Sequence, residues 1–252
     1  MTTDLPPLTL VTGGSRGMGL AMAQQLLASG HAVISIARHA NPQLQAPSGG
    51  LLEQWTLDLS DGASAAQRLR DWLAAQPANR FASATLINNA GVIPPIAPLS
   101  ASDPLELARA LRIGLEAPMQ LCAAFLAATE SWGVPRKVLN ISSGLGRRAM
   151  ASQAAYCAAK AGMDHFTRCL ALDEALKPQG ARVCSLAPGV IDTDMQVQLR
   201  SADSAQFPDV GNFAQLKAGG HLTSPQEAAQ RILAWLDRPD FGTHPVADVR
   251  EG

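Results

Sequence analysis

A tyrosine and a lysine four residues apart are the first candidates for chemistry in this chain. Tyr156 is the single tyrosine among 252 residues, and Lys160 is one of four lysines. On a helix this spacing places the phenol and the ammonium group on the same face. Both groups carry an exchangeable proton, so the pair is a candidate for proton-transfer chemistry. The alternative is an ordinary pair of residues on a helix surface.

Ser143 stands thirteen residues before Tyr156, just after a run that predicts a strand at residues 137–141. Residues 88–91 (Asn-Asn-Ala-Gly) and 188–193 (Pro-Gly-Val-Ile-Asp-Thr) follow two other predicted strands in the same way. Open α/β sheets bind ligands outside the carboxyl ends of their strands. We therefore expect these segments to meet at one edge of a sheet.

A glycine-rich loop at residues 12–19 (Thr-Gly-Gly-Ser-Arg-Gly-Met-Gly) lies between the first predicted strand and the first predicted helix. Glycines let the backbone turn sharply and approach a pyrophosphate, which the N–H groups of a helix N-terminus stabilise. Its position at the start of a βαβ pattern favours a dinucleotide site over a simple turn. The expected contacts of the cofactor in this loop are Gly13, Ser15, Arg16, Gly17, Met18 and Gly19.

The end of the second predicted strand favours NADP(H) as the cofactor. Many NAD-dependent enzymes carry an acid there that holds the ribose 2′-OH. This chain has Ala37-Arg38 instead, and Arg16 lies in the loop that would face it. Two guanidinium groups suit a 2′-phosphate through charge-assisted hydrogen bonds. The alternative is two solvated surface arginines.

The elements that must position these residues alternate between short β-rich runs and longer helical stretches. We predict strands at residues 8–12, 32–37, 53–57, 85–88, 137–141, 182–186 and 246–249. Helices are predicted at residues 17–29, 64–75, 104–129, 154–176 and 225–236, with Ser102 or Asp103 as the N-cap of the third. The pattern predicts an α/β fold, a single Rossmann-type domain (residues 1–252) with a doubly wound parallel sheet and helices on both faces.

Two segments, residues 41–50 and 201–220, are long enough and irregular enough in pattern to be loops. The first is predicted to be a surface connection. The second belongs to a longer stretch, residues 195–222, which is interpreted as a substrate lid without strong regular structure. The alternative is that its apolar side chains only pack it onto the body of the protein: Met195, Leu199, Phe207, Phe213 and Leu216.

Composition excludes several function classes. The formal net charge is −1 and the longest basic run is Arg147-Arg148, so neither nucleic acid nor a membrane is expected as a partner. Arg147-Arg148 is interpreted either as a solvated loop or as an attractant for an anionic substrate.

The five histidines have no metal-ligand spacing, so no metal is expected. The four cysteines lie in apolar runs and are expected to be buried. Residues 1–7 lack a signal peptide pattern and no apolar stretch reaches spanning length, which indicates a cytoplasmic protein.

The loop spacing Gly-x-x-x-Gly-x-Gly, Ser143 and the Tyr156-x-x-x-Lys160 pair together resemble the short-chain dehydrogenase/reductase family. The resemblance runs from end to end of the chain. It implies that Tyr156 is the general acid that protonates a carbonyl oxygen, that Ser143 hydrogen-bonds this oxygen, and that Lys160 also holds the nicotinamide ribose. Lys160 is expected to lower the pKa of Tyr156. Further cofactor contacts implied by the resemblance are Asp58, Leu59, Asn89, Gly91, Val190, Ile191 and Thr193, with a plain turn as the alternative for Asp58.

One position departs from the family pattern. Many members carry an active-site asparagine in the long helix, where this chain has Ile113-Gly114-Leu115. That asparagine is thought to hold a water that connects the lysine to solvent, partly through its backbone carbonyl, which glycine retains. The relay can therefore survive without the side chain, and the alternative is a slower enzyme.

Residues 156–161, 187–196 and 216–222 are similar to sepiapterin reductases and the related bacterial benzil reductases. The similarity implies an NADPH-dependent reductase of a small ketone or vicinal dicarbonyl, although residues 194–196 are also consistent with a shared structural loop. Asp248 matches the pterin-binding aspartate of sepiapterin reductases only if a gap is inserted. The alternatives are a 3-oxoacyl-thioester or sugar dehydrogenase, and a non-catalytic NADP(H)-sensing protein. Relatives pair their two longest helices, which implies a homodimer or homotetramer.

Overall fold

A seven-stranded, wholly parallel sheet forms the centre of the computed structural model, which describes residues 5–251. Its strands are β1 Leu8–Thr12, β2 Ala32–Ala37, β3 Leu52–Thr56, β4 Ala84–Asn88, β5 Arg136–Ile141, β6 Arg182–Ala187 and β7 Val246–Asp248. Their order across the sheet is 3-2-1-4-5-6-7. The chain reverses its winding direction between β1 and β4, and this switch point is where doubly wound sheets bind ligands. The predicted fold class is confirmed.

Burial explains why most of the strands read as nearly continuous apolar runs. Every residue of β1, β2 and β4 is buried. A parallel sheet covered on both faces removes all of its side chains from water, so alternation of polar and apolar residues is lost. The predicted strand boundaries agree with the structure to within one residue, the largest difference being β3, which begins and ends one residue earlier than predicted.

Two helical layers cover the sheet. α1 (Gly17–Ala28) and α8 (Pro225–Leu236) pack on one face around Met22, Leu139 and Ile232. α2 (Gly62–Ala74), α4 (Ala117–Thr129) and α5 (Ala154–Ala175) lie on the other, around a core that includes Leu10 and Phe125. Each layer has its own continuous apolar core, which fixes the helices against the sheet edge that carries the candidate site.

Side-chain caps set where three helices begin. The Asp103 carboxylate accepts a hydrogen bond from the backbone N–H of Leu105 and so starts α3 (Pro104–Leu111), which decides between the two predicted N-caps. Asp61 caps α2 in the same way, so that α2 begins at Gly62, two residues earlier than predicted. Ser224 caps α8 through the N–H of Glu227.

The long helix predicted at residues 104–129 is not one regular helix. A π-helical turn, Arg112–Glu116, separates α3 from α4. Gly114 lies inside this turn, where an added Cβ would lie 3.1 Å from the Cβ of Ala159. Glycine therefore allows α5 to approach unusually closely one residue before Lys160. π-turns of this kind are frequent at functional sites.

The prediction that the 195–222 segment lacks regular structure is wrong. It contains α6 (Asp194–Arg200) and α7 (Val210–Ala218). Phe207 is fully buried between them and stacks on Phe213, with ring centroids 5.6 Å apart. Helices of seven and nine residues show too few turns to reveal an apolar periodicity, so these two are stabilised by packing rather than by pattern.

Two further expectations are corrected. Cys122 and Cys184 are buried as predicted. Cys157 is half-buried and Cys169 is exposed, because these two residues lie on flanks of α5 that face away from the sheet.

One helical stretch, Pro104–Trp132, is long and apolar enough to span a membrane by length and composition. Its most apolar window is 56% buried inside the fold. The buried side chains of this stretch are core residues of the layer that contains α2 and α4.

Candidate active site

A cleft of about 1130 Å³ opens at the carboxyl ends of the strands, across the switch point of the sheet. The structure brings the segments predicted to converge into this one cleft. Every residue predicted to bind the cofactor or to act in catalysis contributes to its lining: Gly13, Ser15, Arg16, Gly17, Met18, Gly19, Arg38, Asp58, Leu59, Asn89, Gly91, Ser143, Tyr156, Lys160, Val190, Ile191 and Thr193.

The glycine loop is held in place by hydrogen bonds to the end of β4. The Thr12 hydroxyl accepts the backbone N–H groups of Asn89 and Ala90 at 2.9 and 3.0 Å. The Asn89 side chain in turn donates to the Thr12 carbonyl at 2.9 Å. Asn89 therefore positions the loop as well as lining the cleft.

The glycines of the loop are required by close approach. Gly13 has φ +71°, a conformation that favours glycine. A Cβ at Gly19 would lie against the carbonyl oxygen of Gly13, far inside van der Waals contact. α1 begins within the loop, at Gly17, and its cap residue Arg16 gives the first N–H groups no side-chain hydrogen bond where the first turn of the helix lines the cleft. This is the geometry of a phosphate cradle.

The two arginines predicted near a 2′-phosphate differ in their surroundings. Arg16 donates to the carboxylate of Asp194 at 2.8 Å, in an exposed ion pair that joins the glycine loop to α6. Arg38 lies at the end of β2 beside Asp58. A hydrogen bond from the backbone N–H of Ser60, assisted by the charge of Arg38, holds the pKa of Asp58 below its usual value. Asp58 is therefore a turn residue that also lines the cleft.

Lys160 is almost completely buried, and its Nζ donates to the carbonyl oxygen of Ile141 at 2.6 Å. Burial lowers the pKa of Lys160 to about 8, against the opposing charge of Asp164. The ammonium group thus lies beneath the cleft, bonded to the end of β5, two residues before Ser143.

Tyr156 is also buried, and burial raises the pKa of its phenol above the usual value, although the Ser143 hydroxyl partly opposes this change. The expectation that Lys160 lowers the pKa of Tyr156 is wrong for this structure. Nζ of Lys160 lies 5.8 Å from the centre of the tyrosine ring and donates to Ile141 instead. Desolvation of the phenolate is therefore the dominant effect, and the phenol keeps its proton at neutral pH.

Sequence reasoning missed a buried charge cluster behind Lys160. The Asp164 carboxylate accepts the Ser185 hydroxyl at 2.6 Å and the Nε of Arg147 at 3.2 Å. Arg147 also donates to the carbonyl of Ala247 at 2.8 Å, so its guanidinium is bonded to two segments of the fold although the residue remains exposed. The signal that could have revealed Asp164 is its position four residues after Lys160, on the same face of α5.

Asp248 lies in the cleft despite the gap that its alignment with sepiapterin reductases requires. It ends β7, is 4% exposed, and receives two hydrogen bonds from the Arg250 guanidinium, which lower its pKa. Apolar side chains also line the cleft: Ile93, Leu145, Met150, Leu199 and Phe213.

Comparison with known proteins identifies the family. Residues 7–204 match the family described as short chain dehydrogenase. The chain is 34% identical over 249 residues to a benzil reductase ((S)-benzoin forming) of Bacillus cereus, covering 96% of this chain and 98% of that protein. It is 32% identical to a sepiapterin reductase of Meriones unguiculatus, covering 93% and 94%. The crystal structure of the KRED1-Pglu enzyme superposes with a TM-score of 0.81 at 27% identity, covering 95% and 99%.

The family match and the fold agree on the class of reaction. Members act on small molecules that carry a C=O or CH–OH group, use NAD(H) or NADP(H), and are commonly oligomeric. The chain therefore belongs to the short-chain dehydrogenase family and is a carbonyl reductase of that family.

Proposed function

We propose that this protein is a cytoplasmic enzyme that uses NADPH to reduce one carbonyl of a vicinal dicarbonyl or similar small ketone. The observation that carries the chemistry is the burial of Tyr156 beside Ser143 and Lys160 at the switch point of the sheet. The Tyr156 hydroxyl, whose pKa burial raises above its usual value, is protonated at neutral pH and so can act as the general acid. When bound, NADPH supplies the hydride.

Each residue of the catalytic set has one task in this proposal. The Ser143 hydroxyl holds the substrate oxygen, and the Tyr156 hydroxyl gives it a proton as the carbonyl carbon is reduced. The Lys160 ammonium, which donates to the Ile141 carbonyl rather than to the phenol, would bind the nicotinamide ribose. Lys160 is charged below its pKa of about 8, so it is available for this task at neutral pH.

The residues present fit a dinucleotide. A Cβ at Gly13 or Gly19 would clash with Asn89 and with neighbouring backbone, so glycine permits the tight loop that a pyrophosphate cradle needs, and the start of α1 lines the same cleft. Asp58, Leu59, Asn89 and Gly91 would line the adenosine half, and Val190, Ile191 and Thr193 the nicotinamide half. No acid stands at the end of β2 to bind a ribose 2′-OH, and Arg38 occupies that place, which supports NADPH rather than NADH.

The substrate class is supported by the relatives and by the walls of the cleft. Benzil reductases of two Bacillus species are 34% and 33% identical to this chain over nearly its full length. Leu199 and Phe213 of the 195–222 segment form an apolar side of the cleft, which favours flat hydrophobic ketones over phosphorylated or polyhydroxy substrates. The segment would act as a lid over this side.

A substrate panel tests the proposal. Oxidation of NADPH should give a higher kcat/KM with benzil than with a sugar ketone or an acetoacetyl thioester. Phe213→Ala and Leu199→Ala should each reduce that preference. If the thioester or the sugar is the best substrate, the dicarbonyl assignment is wrong. If NADPH binds but no carbonyl compound is reduced, the protein is a cofactor sensor.

The exposed apolar residues support a homodimer or homotetramer. Leu105, Leu111 and Met119 are exposed on α3 and α4, and Leu172 and Leu176 are exposed on the last turn of α5 and directly after it. These helices lie on the same face of the sheet, so a two-fold axis would bury both sets at once. Light scattering at micromolar concentration should give a dimer or tetramer mass, and a monomer mass would contradict this.

A further inference from the structure

Gln153 is a buried amide whose polar atoms have no partner within the described residues. It is 2% exposed, lines the cleft together with Tyr156 and Ser143, and neither Nε2 nor Oε1 has a hydrogen-bond partner. It occupies the cap position of α5, yet its side chain makes no cap hydrogen bond. Burying an amide without a partner costs free energy, and folded proteins retain few such groups. An amide kept in this state inside a binding cleft is suited to a ligand.

The backbone holds Gln153 firmly with respect to Tyr156. The Gln153 carbonyl accepts the N–H of Cys157 at 2.9 Å, which is the first hydrogen bond of α5. The preceding residue, Ser152, has φ +59°, a left-handed conformation that non-glycine residues adopt rarely and that recurs at functional sites. Its hydroxyl donates to the carbonyl of Gln206 at 2.5 Å and so joins the start of α5 to the 195–222 segment. The amide is therefore presented from a fixed point three residues before the proposed general acid.

Two other buried polar side chains in the cleft fit less well. Gln196 has an unpartnered Oε1, but this atom only accepts hydrogen bonds, and a carbonyl oxygen needs a donor. The hydroxyl of Ser142 is also unpartnered. It directly precedes Ser143 at the end of an extended strand, where successive side chains point in opposite directions. Gln153 offers a neutral NH₂ donor on the helix that carries Tyr156.

We propose that Gln153 determines specificity for vicinal dicarbonyls by donating a hydrogen bond to the carbonyl oxygen that is not reduced. This inference rests on the proposed function. In a vicinal dicarbonyl the two oxygens are on adjacent carbons, so holding one at Ser143 and Tyr156 confines the other to the same part of the cleft. A neutral amide binds that oxygen without the charge that would polarise it for reduction. The bond selects the substrate and its orientation, and it takes no part in proton or hydride transfer.

The experiment pairs a variant with a substrate that lacks the second carbonyl. Gln153→Leu removes the amide at similar volume, and deoxybenzoin has the two phenyl groups of benzil but a CH₂ in place of one C=O. The kcat/KM for benzil should fall roughly tenfold in the variant, whereas that for deoxybenzoin should change less than about twofold. Gln120→Leu is the matched control, because Gln120 also has an unpartnered buried Oε1 but lies on α4 outside the cleft. It should alter neither value.

A second variant protects the test against a folding defect. Gln153→Glu is nearly isosteric, but its carboxylate cannot donate a hydrogen bond at neutral pH. It should lose the same preference for benzil and regain it as the pH falls and the introduced carboxyl group is protonated. A structural role for Gln153 does not predict this rescue.

The outcomes separate the inference from the function on which it rests. Suppose that the wild type reduces benzil and that Gln153→Leu lowers kcat/KM equally for both substrates or for neither. Gln153 is then not the specificity residue, and the proposed function stands. If the wild type reduces no diketone, the proposed function and the inference are both wrong. Loss of the benzil preference in both Gln153 variants, with Gln120→Leu unchanged, supports the inference.

Discussion

The two ends of the cleft differ in how their polar groups are satisfied. At the glycine loop the protein satisfies its own groups, since Thr12 and Asn89 bond to each other's backbone across β1 and β4. At the opposite end, Gln153 and Gln196 are buried with polar atoms that have no partner among residues 5–251. The first arrangement fixes a shape in advance, and the second keeps hydrogen-bonding capacity for a ligand. Under the proposed function, the end that would bind the cofactor is rigid before binding, and selectivity lies at the end that would bind the substrate.

The largest effect is expected at the junction of the two ends. Tyr156→Phe removes the proposed proton donor and little contact surface, so kcat should fall about 1000-fold while the Kd for NADPH stays nearly unchanged. Steady-state kinetics and a fluorescence titration of NADPH measure the two quantities. A variant that keeps more than a tenth of the wild-type kcat would contradict the general-acid assignment.

Because the glycine loop is rigid, one methyl group added there should strongly weaken the binding of NADPH. Gly19→Ala places a Cβ against the carbonyl oxygen of Gly13, so the loop must move, and affinity for NADPH should fall about 100-fold. Gly211→Ala in α7 is the matched control, because an added Cβ there meets nothing within 4 Å. Equal affinities of the two variants for NADPH would mean that the two ends do not differ in rigidity.

Cofactor choice is expected to depend on Arg38. Arg38→Ala removes a charge-assisted hydrogen bond available only to the 2′-phosphate, so the KM for NADPH should rise about 30-fold and that for NADH hardly at all. Initial rates with the two cofactors at a fixed diketone concentration measure this. Equal changes in both KM values would show that Arg38 is not a phosphate ligand.

The smallest effect is on stability. The pKa of Lys160 is about 8 in the folded protein, below its usual 10.5, so the unfolded chain binds more protons between these values. The free energy of unfolding should therefore rise as the pH increases from about 8 to about 10.5, and at neutral pH the buried charge is a net cost. Lys160→Met should abolish activity yet raise the free energy of unfolding at pH 7. The expected net gain is about 2 kcal/mol, once the lost hydrogen bond to Ile141 is subtracted from the gain of removing a buried charge. Denaturant unfolding at several pH values measures the free energy of unfolding of the wild type and of Lys160→Met. A difference between the two proteins that does not shrink above pH 8 would contradict the prediction.

The regular part of the fold could be predicted from sequence because each strand and each long helix has its own local pattern. β1 and β2 are continuous apolar runs, and β5 differs from its prediction only by Arg136 at its start. The residues predicted to form the site all line one cleft for a related reason, since most of them follow the carboxyl ends of predicted parallel strands and Tyr156 and Lys160 lie on the helix after β5. Their roles remain predictions. The π-turn at Gly114 and the helices α6 and α7 were missed because close packing, rather than sequence periodicity, stabilises them.

By itself the sequence determined the sheet, its switch point and the candidate residues. Burial on both faces produces apolar runs, and position after a strand is visible in the order of residues, so both can be recognised in short stretches of chain. Only the tertiary structure decided the state of those residues. It placed Lys160 against Ile141 rather than against the phenol, paired Arg147 with Asp164, and left Gln153 buried without a partner. A pKa or an unsatisfied amide depends on every group that surrounds it, and those groups come from segments far apart in the chain.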